Sequence, residues 1–430
     1  MLDIKLFREN PDVIKQDLVK RGEDTGIVDK IVELDKEWRQ TKIKLQELQH
    51  KRNTVTKEIA ELKKKGEDTG QKITEMREVN QKIKEMEERA RELEKKRDDL
   101  RLRVPNLTHE SVPVGKDDTD NIMIRTWGKP IKKDFELKPH QDVLEILGLA
   151  DFDAAAKASG RGFYYLLGQA ALLDLAIQRF ALDELQKKEY TIVEPPLMLR
   201  RKAMQGVVDL SAFEEVLYKV ENEDLYLIAT SEHPLAAMHM DQVISEESLP
   251  LRYAGISPCF RKEIGSHGVD TKGLFRVHQF HKIEQFVYSM PEKSWEEHEK
   301  MITIAEELFQ KLEIPYRVVN VCTGDLGGTA AKKYDIEAWM ARQGNYKEVV
   351  SCSNCTDYQA RKLNIRYQKK NGERGVLHTL NSTAIATGRA MVAIIENNQQ
   401  PDGTVVIPKV LQKYMDGQEI LEPRKKPITY

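Results

Sequence analysis

Two long stretches of the chain repeat apolar positions by threes and fours. The first places Ile31, Leu34, Trp38, Thr41, Leu45, Leu48, Arg52, Val55, Ile59 and Leu62 on one stripe. The second does the same with Met76, Val79, Ile83, Met86, Ala90, Leu93, Arg97 and Leu100. Most of these residues are apolar, and the spacing is that of a coiled-coil seam. KKKGEDTG at residues 63–70 interrupts the pattern with turn chemistry, and Val104-Pro105 stops the second helix. The pattern predicts an antiparallel two-helix arm over residues 27–104. Each helix would run for about 45–55 Å. Shorter helical patterning precedes the arm, with a boundary at Asn10-Pro11.

Beyond the arm, helical and strand periods alternate. Residues 108–140 read as a linker with some strand content, 140–149 as a helix, 151–160 as a helix passing into a turn, and 161–167 as a strand. Residues 168–186 form an amphipathic helix with Ala171, Leu172, Leu175, Ala176, Phe180 and Leu182 available to face inward. YTIVEPP at 190–196 reads as a strand closed by proline, and 226–229 as a strand leading to a helix over 233–244. Residues 254–260 and 274–286 read as antiparallel strands, joined by a polar loop containing Gly265, Ser266, Gly268, Asp270, Thr271 and Gly273. A helix over 291–312 follows, then strands at 316–322, 335–341, 347–351 and 378–382, a turn at 383–389 and a helix over 390–397.

Composition narrows the class. A chain of 430 residues accommodates two or three domains and a large core. Charged residues make up 32% and hydrophobic ones 40%, which suits a soluble chain with long exposed helices. The net charge of -2 does not advertise nucleic-acid binding, and a local basic face remains open. The start, MLDIKLFRENPDVIK, has no apolar run, and no window approaches the roughly 18–20 apolar residues of a membrane span, so neither a signal peptide nor a membrane contact is expected. Four cysteines are too few for a disulfide framework, and a reducing, cytoplasmic compartment is expected. Cys352 and Cys355 have the spacing of a zinc or redox pair, but Cys259 and Cys322 are isolated, so no zinc is expected.

The strongest candidate chemistry lies in residues 260–286. Arg261 and Glu263 sit on one flank of the loop, Arg276 and Glu284 on the other, and Phe280 between them. Two guanidiniums on a rigid hairpin suit a polyphosphate, carboxylates suit an amine or hydroxyl, and a phenyl ring can stack on a base. A surface hairpin with solvated charges fits the same spacing. Thr230-Ser231-Glu232 at a helix start is equally an ordinary cap. The arm fits a dimerisation device as well as a ligand arm. Lys42, Lys44, Lys51, Arg52, Lys57, Lys63–Lys65, Lys82, Lys84, Arg89, Arg91 and Lys95–Arg97 are interleaved with carboxylates, so a solvated face is a further alternative.

FRKE at 260–263, DTKGLFRVHQFHKIEQF at 270–286, TSE at 230–232 and EVVSCSN at 348–354 resemble the seryl-tRNA synthetases, a branch of the class II aminoacyl-tRNA synthetases. VPVGKDDTDNIMIRTWGKP at 112–130 extends the likeness, which runs from Met1 almost to the C-terminus. The resemblance implies an α+β fold. Residues 1–110 would be a tRNA-binding domain carrying the coiled-coil arm, and 111–430 a class II catalytic domain built on an antiparallel β-sheet flanked by helices. Motif 1 would span about 170–196 and end at Pro196, motif 2 about 254–286, and motif 3 about 378–397 with Arg389. Glu189 stands where the family often has glycine, and Cys352 and Cys355 read as ordinary buried small residues.

The resemblance also implies roles. Arg261, Arg276 and Arg389 would be catalytic: Arg261 on the α-phosphate and the serine carboxylate, the other two on the β,γ side of ATP, with Arg389 also against adenine. Lys262, Glu263, Val277, Phe280, Glu348, Val349, Val350 and Ser351 complete the ATP set, Glu263 reading the adenine amino group and Phe280 stacking on the ring. Glu348 and Ser351 would hold Mg2+ with the ATP phosphates, and they share a face of a strand only if a bulge intervenes. Thr230, Ser231, Glu232, Arg261, Glu284 and Thr383 would bind serine. The implied partners are L-serine, tRNA(Ser) and tRNA(Sec), in a homodimer whose arm guides tRNA into the partner's site. Two alternatives are a small-amino-acid ligase that charges a carrier protein and a non-catalytic RNA-binding paralogue. The arm argues against the first and the complete arginine set against the second.

Overall fold

The heptad stripes fold into a helical hairpin in a computed structural model that describes residues 1–208, 210–263 and 272–424. The chain divides into two compact units, Met1–Pro105 and Asn106–Tyr430. In the first unit, two short helices, α1 (Ile4–Glu9) and α2 (Pro11–Arg21), lead into α3 (Gly26–Lys65) and α4 (Gly70–Arg101). α3 has 40 residues, so at 1.5 Å per residue it extends about 60 Å, beyond the sequence-based expectation. Every seam position read from the sequence is buried or half-buried, with Leu45, Val79 and Ile83 at the centre. Most of the basic residues lie outside the seam. Arg97 is an exception: it is buried against Asp35 at 3.1 Å instead of adding to a basic face.

The second unit is organised by an eight-stranded sheet. Its strands are β1 (Ile122–Trp127), β2 (Thr191–Val193), β3 (Leu251–Phe260), β4 (Gln279–Ser289), β5 (Tyr316–Asn320), β6 (Lys332–Met340), β7 (Asn345–Asn354) and β8 (His378–Ala386). The spatial order is β1-β5-β6-β7-β8-β4-β3-β2, antiparallel throughout except where edge strand β2 runs parallel to β3. Five helices matter to the site: α5 (His140–Ile146), α6 (Gln169–Lys187), α7 (Glu232–Ala237), α8 (Ser294–Lys311) and α9 (Thr387–Asn398). α6, α8 and α9 bury Ile177, Phe180, Met301, Phe309, Met391 and Ile394 with Ile283, Leu380 and Ile336 of the sheet in one core. That core covers one face of the sheet; the other carries a second apolar cluster around Tyr253, Phe286 and Tyr288 and, beside it, a polar stretch.

Several boundaries differ from the sequence reading. The helix expected over 233–244 stops at Ala237. Asp241 takes φ 61 there, a left-handed conformation that ends helical repetition, and Val243–Ser245 pairs as a strand with Arg366–Gln368. The expected strand at 161–167 shrinks to Tyr165–Leu166, because Gly162 takes φ 82, a left-handed conformation that interrupts an extended run. The expected turn at 383–389 is strand through Ala386 and helix from Thr387. Residues 274–278 lie outside β4, which begins at Gln279. On α6, Leu172 and Leu175 point outward, 53% and 59% exposed, while Leu173 and Ile177 take the inward places. The linker over 108–140 contributes β1 to the edge of the main sheet. The polar loop read at Gly265, Ser266, Gly268, Asp270 and Thr271 lies outside the described residues.

Candidate active site

The polar face of the sheet is built by strand register. Residues directly opposite each other in an antiparallel pair share a face, and so do alternate residues along one strand. Glu284 lies opposite Thr383 and Gly255, Lys282 opposite Ser257, and Phe280 opposite Cys259. Ser353 lies opposite both Asn381 and Lys333, and Ser351 opposite Asp335. A shift in register sets Ile336 against Val350 but Glu337 against Glu348, leaving Val349 as the extra residue. This is the bulge that Glu348 and Ser351 need to face the same way. Val350, alternating with Ser351 before the shift, points into the core, 1% exposed.

These side chains line a cavity of about 380 Å³. It gathers Thr230, Glu232, Arg261, Glu263, Arg276, Val277, Phe280, Glu284, Glu348, Val349, Ser351, Thr383 and Arg389 from five separated stretches. Three residues named from the sequence are not in its wall. Ser231 is fully buried and shares a 2.6 Å hydrogen bond with Ser257, because Leu235 and Gly255 close around it. The Lys262 ammonium lies over Tyr218, 5.6 Å from the ring centre. Val350, next to Ser351 on a regular stretch of β7, points to the opposite face.

Three arginines of the wall are held by neighbouring groups. The Arg261 Nε–H donates to the Ala229 carbonyl at 3.2 Å, and its guanidinium lies over Phe280 at 5.3 Å. Arg276 approaches Glu263 at 3.3 Å. Arg389 donates to the Glu348 carbonyl at 2.9 Å, with the Glu348 carboxylate 3.4 Å away. Arg389 stands over Phe275, 5.0 Å from the ring, and that aromatic was not singled out from the sequence. It sits in the first turn of α9, where its charge opposes the helix dipole, so an anionic ligand would complement it.

Two further charges of the wall are buried. Lys282 and Glu284 form a 2.7 Å ion pair, each nearly inaccessible. Burial pushes the Glu284 carboxyl up, against the opposing influence of Lys282 and Arg261. Glu232 is pushed up to about 7, first by burial and then by the Glu284 charge, although Gln359 donates to it at 2.8 Å. The Thr230 hydroxyl accepts the Glu232 N–H at 3.2 Å just before the helix, whose N-cap Ser231 makes no side-chain cap bond, so Thr230 tethers the helix start and lines the cavity at once. Lys282, Asn381, Ser353 and Lys333 also line the cavity and were missed. For Lys282 a signal existed, since Phe280, Lys282 and Glu284 alternate along one strand.

The oxygen donors Glu348 and Ser351 suit a magnesium ion, which takes few protein ligands and keeps waters and phosphate oxygens. Among the described residues, no three of His, Cys, Asp and Glu gather where they would hold a metal by themselves. Cys352 and Cys355 are fully buried free thiols, and burial pushes both pKa values up.

The whole chain can be set beside known proteins. The serine–tRNA ligase of Pyrococcus horikoshii is 56% identical to it, over 99% of this chain and 99% of the relative. The chain belongs to the seryl-tRNA synthetase family. The serine–tRNA ligase of Methanocella arvoryzae is 54% identical over 98% of the chain and 100% of the relative. Residues 1–108 match the seryl-tRNA synthetase N-terminal domain, and 217–398 match the tRNA synthetase class II core domain (G, H, P, S and T). The crystal structure of seryl-tRNA synthetase from P. horikoshii complexed with ATP superposes with a TM-score of 0.93 at 55% identity, covering 99% of this chain and 100% of that one. The cytoplasmic serine–tRNA ligase of Naegleria fowleri in complex with AMP gives 0.89 at 39% identity, covering 99% of each chain. Membership in the seryl-tRNA synthetase family thus extends over the arm and the catalytic fold together. No described helix is long and apolar enough to cross a membrane.

Proposed function

We propose that this chain activates L-serine with ATP and transfers the serine to tRNA(Ser), as a cytoplasmic homodimer. The observation that carries the reading is one cavity lined by three arginines together with the carboxylates Glu232 and Glu284. In the first step, a serine carboxylate oxygen forms a bond to the α-phosphorus while the bond to pyrophosphate breaks. The substrate supplies the nucleophile, so catalysis is alignment and charge stabilisation. Arg261, from its place beside Phe280, holds the α-phosphate and the serine carboxylate. Arg276 and Arg389 take the β,γ-phosphates, Phe280 stacks on adenine and Glu263 receives its amino group. Val277 and Val349 line the nucleotide site. Glu348 and Ser351 hold Mg2+, which neutralises phosphate charge when bound. The Glu232 carboxylate and Thr230 receive the serine ammonium, and Glu284 with Thr383 receives its hydroxyl. Alanine leaves these buried groups unpaired, a defect that can cost a factor of about 10⁴.

In the second step, a ribose hydroxyl at the tRNA 3′ end attacks the adenylate carbonyl and AMP leaves. The arm grips the tRNA through spread phosphate contacts, which suits its scattered exposed lysines. tRNA(Sec) is a second acceptor, tested by charging it directly. A second copy covers motif 1, where Leu172, Leu175 and Ile192 leave apolar surface at the edge strand, 53%, 59% and 41% exposed. Serine-dependent ATP–pyrophosphate exchange tests the activation step. Exchange is expected with serine and not with alanine, glycine, threonine or cysteine. Arg261→Ala should lower it by a factor of about 10²–10³. A folded dimer that binds tRNA yet exchanges with no amino acid would overturn the reading.

A further inference from the structure

His140 lies outside the cavity wall, yet it holds the segment Leu274–Val277, which lines the cavity along its whole length. Its Nε2 accepts the Leu274 N–H at 3.0 Å, in a site where Leu274 is 1% and His140 4% exposed. An amide buried this deeply needs an acceptor, because leaving it unpaired costs more than the bond contributes when made. The residue before it is Gly273 at φ 126, and a Cβ there would lie 2.4 Å from His140 Nε2. The imidazole therefore occupies the space that a side chain would take. On the opposite side of the same residue, the Leu274 carbonyl lies against Gly388, where a Cβ would stand 2.7 Å from the oxygen. Gly388 immediately precedes Arg389 in α9.

The far end of the segment is tied as well. The His278 N–H donates to the Gly162 carbonyl, and the His278 carbonyl accepts the Arg261 N–H, both at 2.9 Å. Phe275, Arg276 and Val277 run between these anchors outside any strand, and all three line the cavity. Position 274 is thus the fixed point from which Phe275 and Arg276 are aimed. The acceptor role fixes the tautomer: a neutral imidazole accepting at Nε2 carries its proton on Nδ1. Nδ1 faces Glu396 Oε1 at 3.6 Å, and Glu396 Oε2 accepts the Arg342 N–H at 3.1 Å. Glu396 belongs to α9 too, so one helix supplies the stop for the Leu274 carbonyl, the cavity arginine and the carboxylate behind His140.

We propose that His140 is a positioning residue for nucleotide binding: by clasping the Leu274 amide it sets Phe275 and Arg276 against the ATP bound in the cavity. This rests on the nucleotide role given above to Arg276. The test is exchange kinetics on the full-length protein with two substitutions of similar volume. His140→Leu removes the acceptor and should raise KM for ATP about tenfold, the effect of one lost buried hydrogen bond of ordinary strength, with KM for serine unchanged. His140→Gln offers an amide oxygen to the same N–H and should recover most of that loss. An ATP KM that stays at the wild-type value in folded His140→Leu overturns the proposal. So does an equal rise for both substrates that His140→Gln fails to relieve, since that is general loosening. If His140→Leu does not fold, Glu396→Gln decides, with a smaller ATP-specific rise expected and no change overturning the clasp. Wild-type protein that shows no exchange would refute the proposed function alone. The same variants would then be compared by calorimetric ATP binding.

Discussion

The helical arm and the sheet face place function on opposite sides of their cores. In α3 and α4 a narrow seam is buried, and what remains for a partner is the exposed surface of two helices. In the sheet, β4 and β8 are buried along nearly their whole length, and the working groups point inward from one face. A coiled-coil seam spends its apolar residues on holding two helices together, so its outer charges are free to vary in position. A sheet covered on one side can place a Lys282–Glu284 pair in low dielectric only where neighbouring strands supply the matching polar groups. The arm should therefore tolerate local change and fail as a unit, whereas the cavity should fail residue by residue.

The largest effect follows from removing the arm. Replacing residues 41–91 by a short turn should abolish tRNA charging and leave serine-dependent exchange near the full-length rate. Equal loss of both in a folded dimer would break the separation of the two regions.

A smaller effect is expected at the base of the arm, where the first unit does bury charge. Asp35, 1% accessible, meets Arg8 at 2.7 Å, Arg39 at 3.0 Å and Arg97 at 3.1 Å. Burial disfavours the carboxylate, but Arg8, Arg97 and Arg39 outweigh it and hold its pKa below the ordinary value. A depressed acid contributes stability above its unfolded pKa and loses it as pH falls through the folded one. Asp35→Asn should cost about 3 kcal/mol, the lower end for breaking a buried pair, since Arg8 and Arg39 can turn to water. Urea unfolding at neutral pH reads this directly, and a cost near zero would mean the site behaves as surface.

How far these regions were legible in advance differs for a physical reason. The arm's period is local, so Ile31 to Leu62 announced their own burial. The hairpin put forward Arg261, Glu263, Arg276 and Glu284 as candidates with a solvated surface as the alternative, and the resemblance of FRKE and its companion phrases to a family decided between them and added Glu232, Glu348 and Arg389. Register across four strands, which brings Thr383 opposite Glu284, is not written in any one stretch. Leu172 and Leu175 misled because an apolar residue on a helix reads the same whether it faces the core or lies exposed. His140 was invisible because its partner is a backbone amide 134 positions away.

Next in size is a pH effect confined to the cavity. The Glu232 carboxyl is raised to about 7 by burial and by Glu284. The empty fold therefore keeps a proton that the unfolded chain sheds near pH 4–5, and loses stability as pH rises toward 7. A serine ammonium favours the ionised form, so binding below pH 7 must expel that proton. KM for serine should rise by about tenfold per pH unit below 7 and level off above it. KM for ATP should not share the slope. A Glu232→Gln variant should bind serine weakly and without the pH dependence, and a slope that survives the substitution would assign the proton to another group.

The smallest effect should come from the arm's outer charges. Lys51 meets Glu75 at 2.8 Å and Lys72 meets Glu58 at 2.6 Å, each bridging α3 and α4 at the surface. Exposed pairs are screened by salt and must order two long side chains, so they add little to stability. Lys72→Ala should leave the melting temperature unchanged within error and weaken tRNA charging slightly at low salt, with the difference vanishing as salt is raised. A melting shift comparable to that of Asp35→Asn would mean that the hairpin depends on its surface charges as much as on its buried ones. The arm would then resemble the sheet in failing residue by residue, and the contrast between the two regions would not hold.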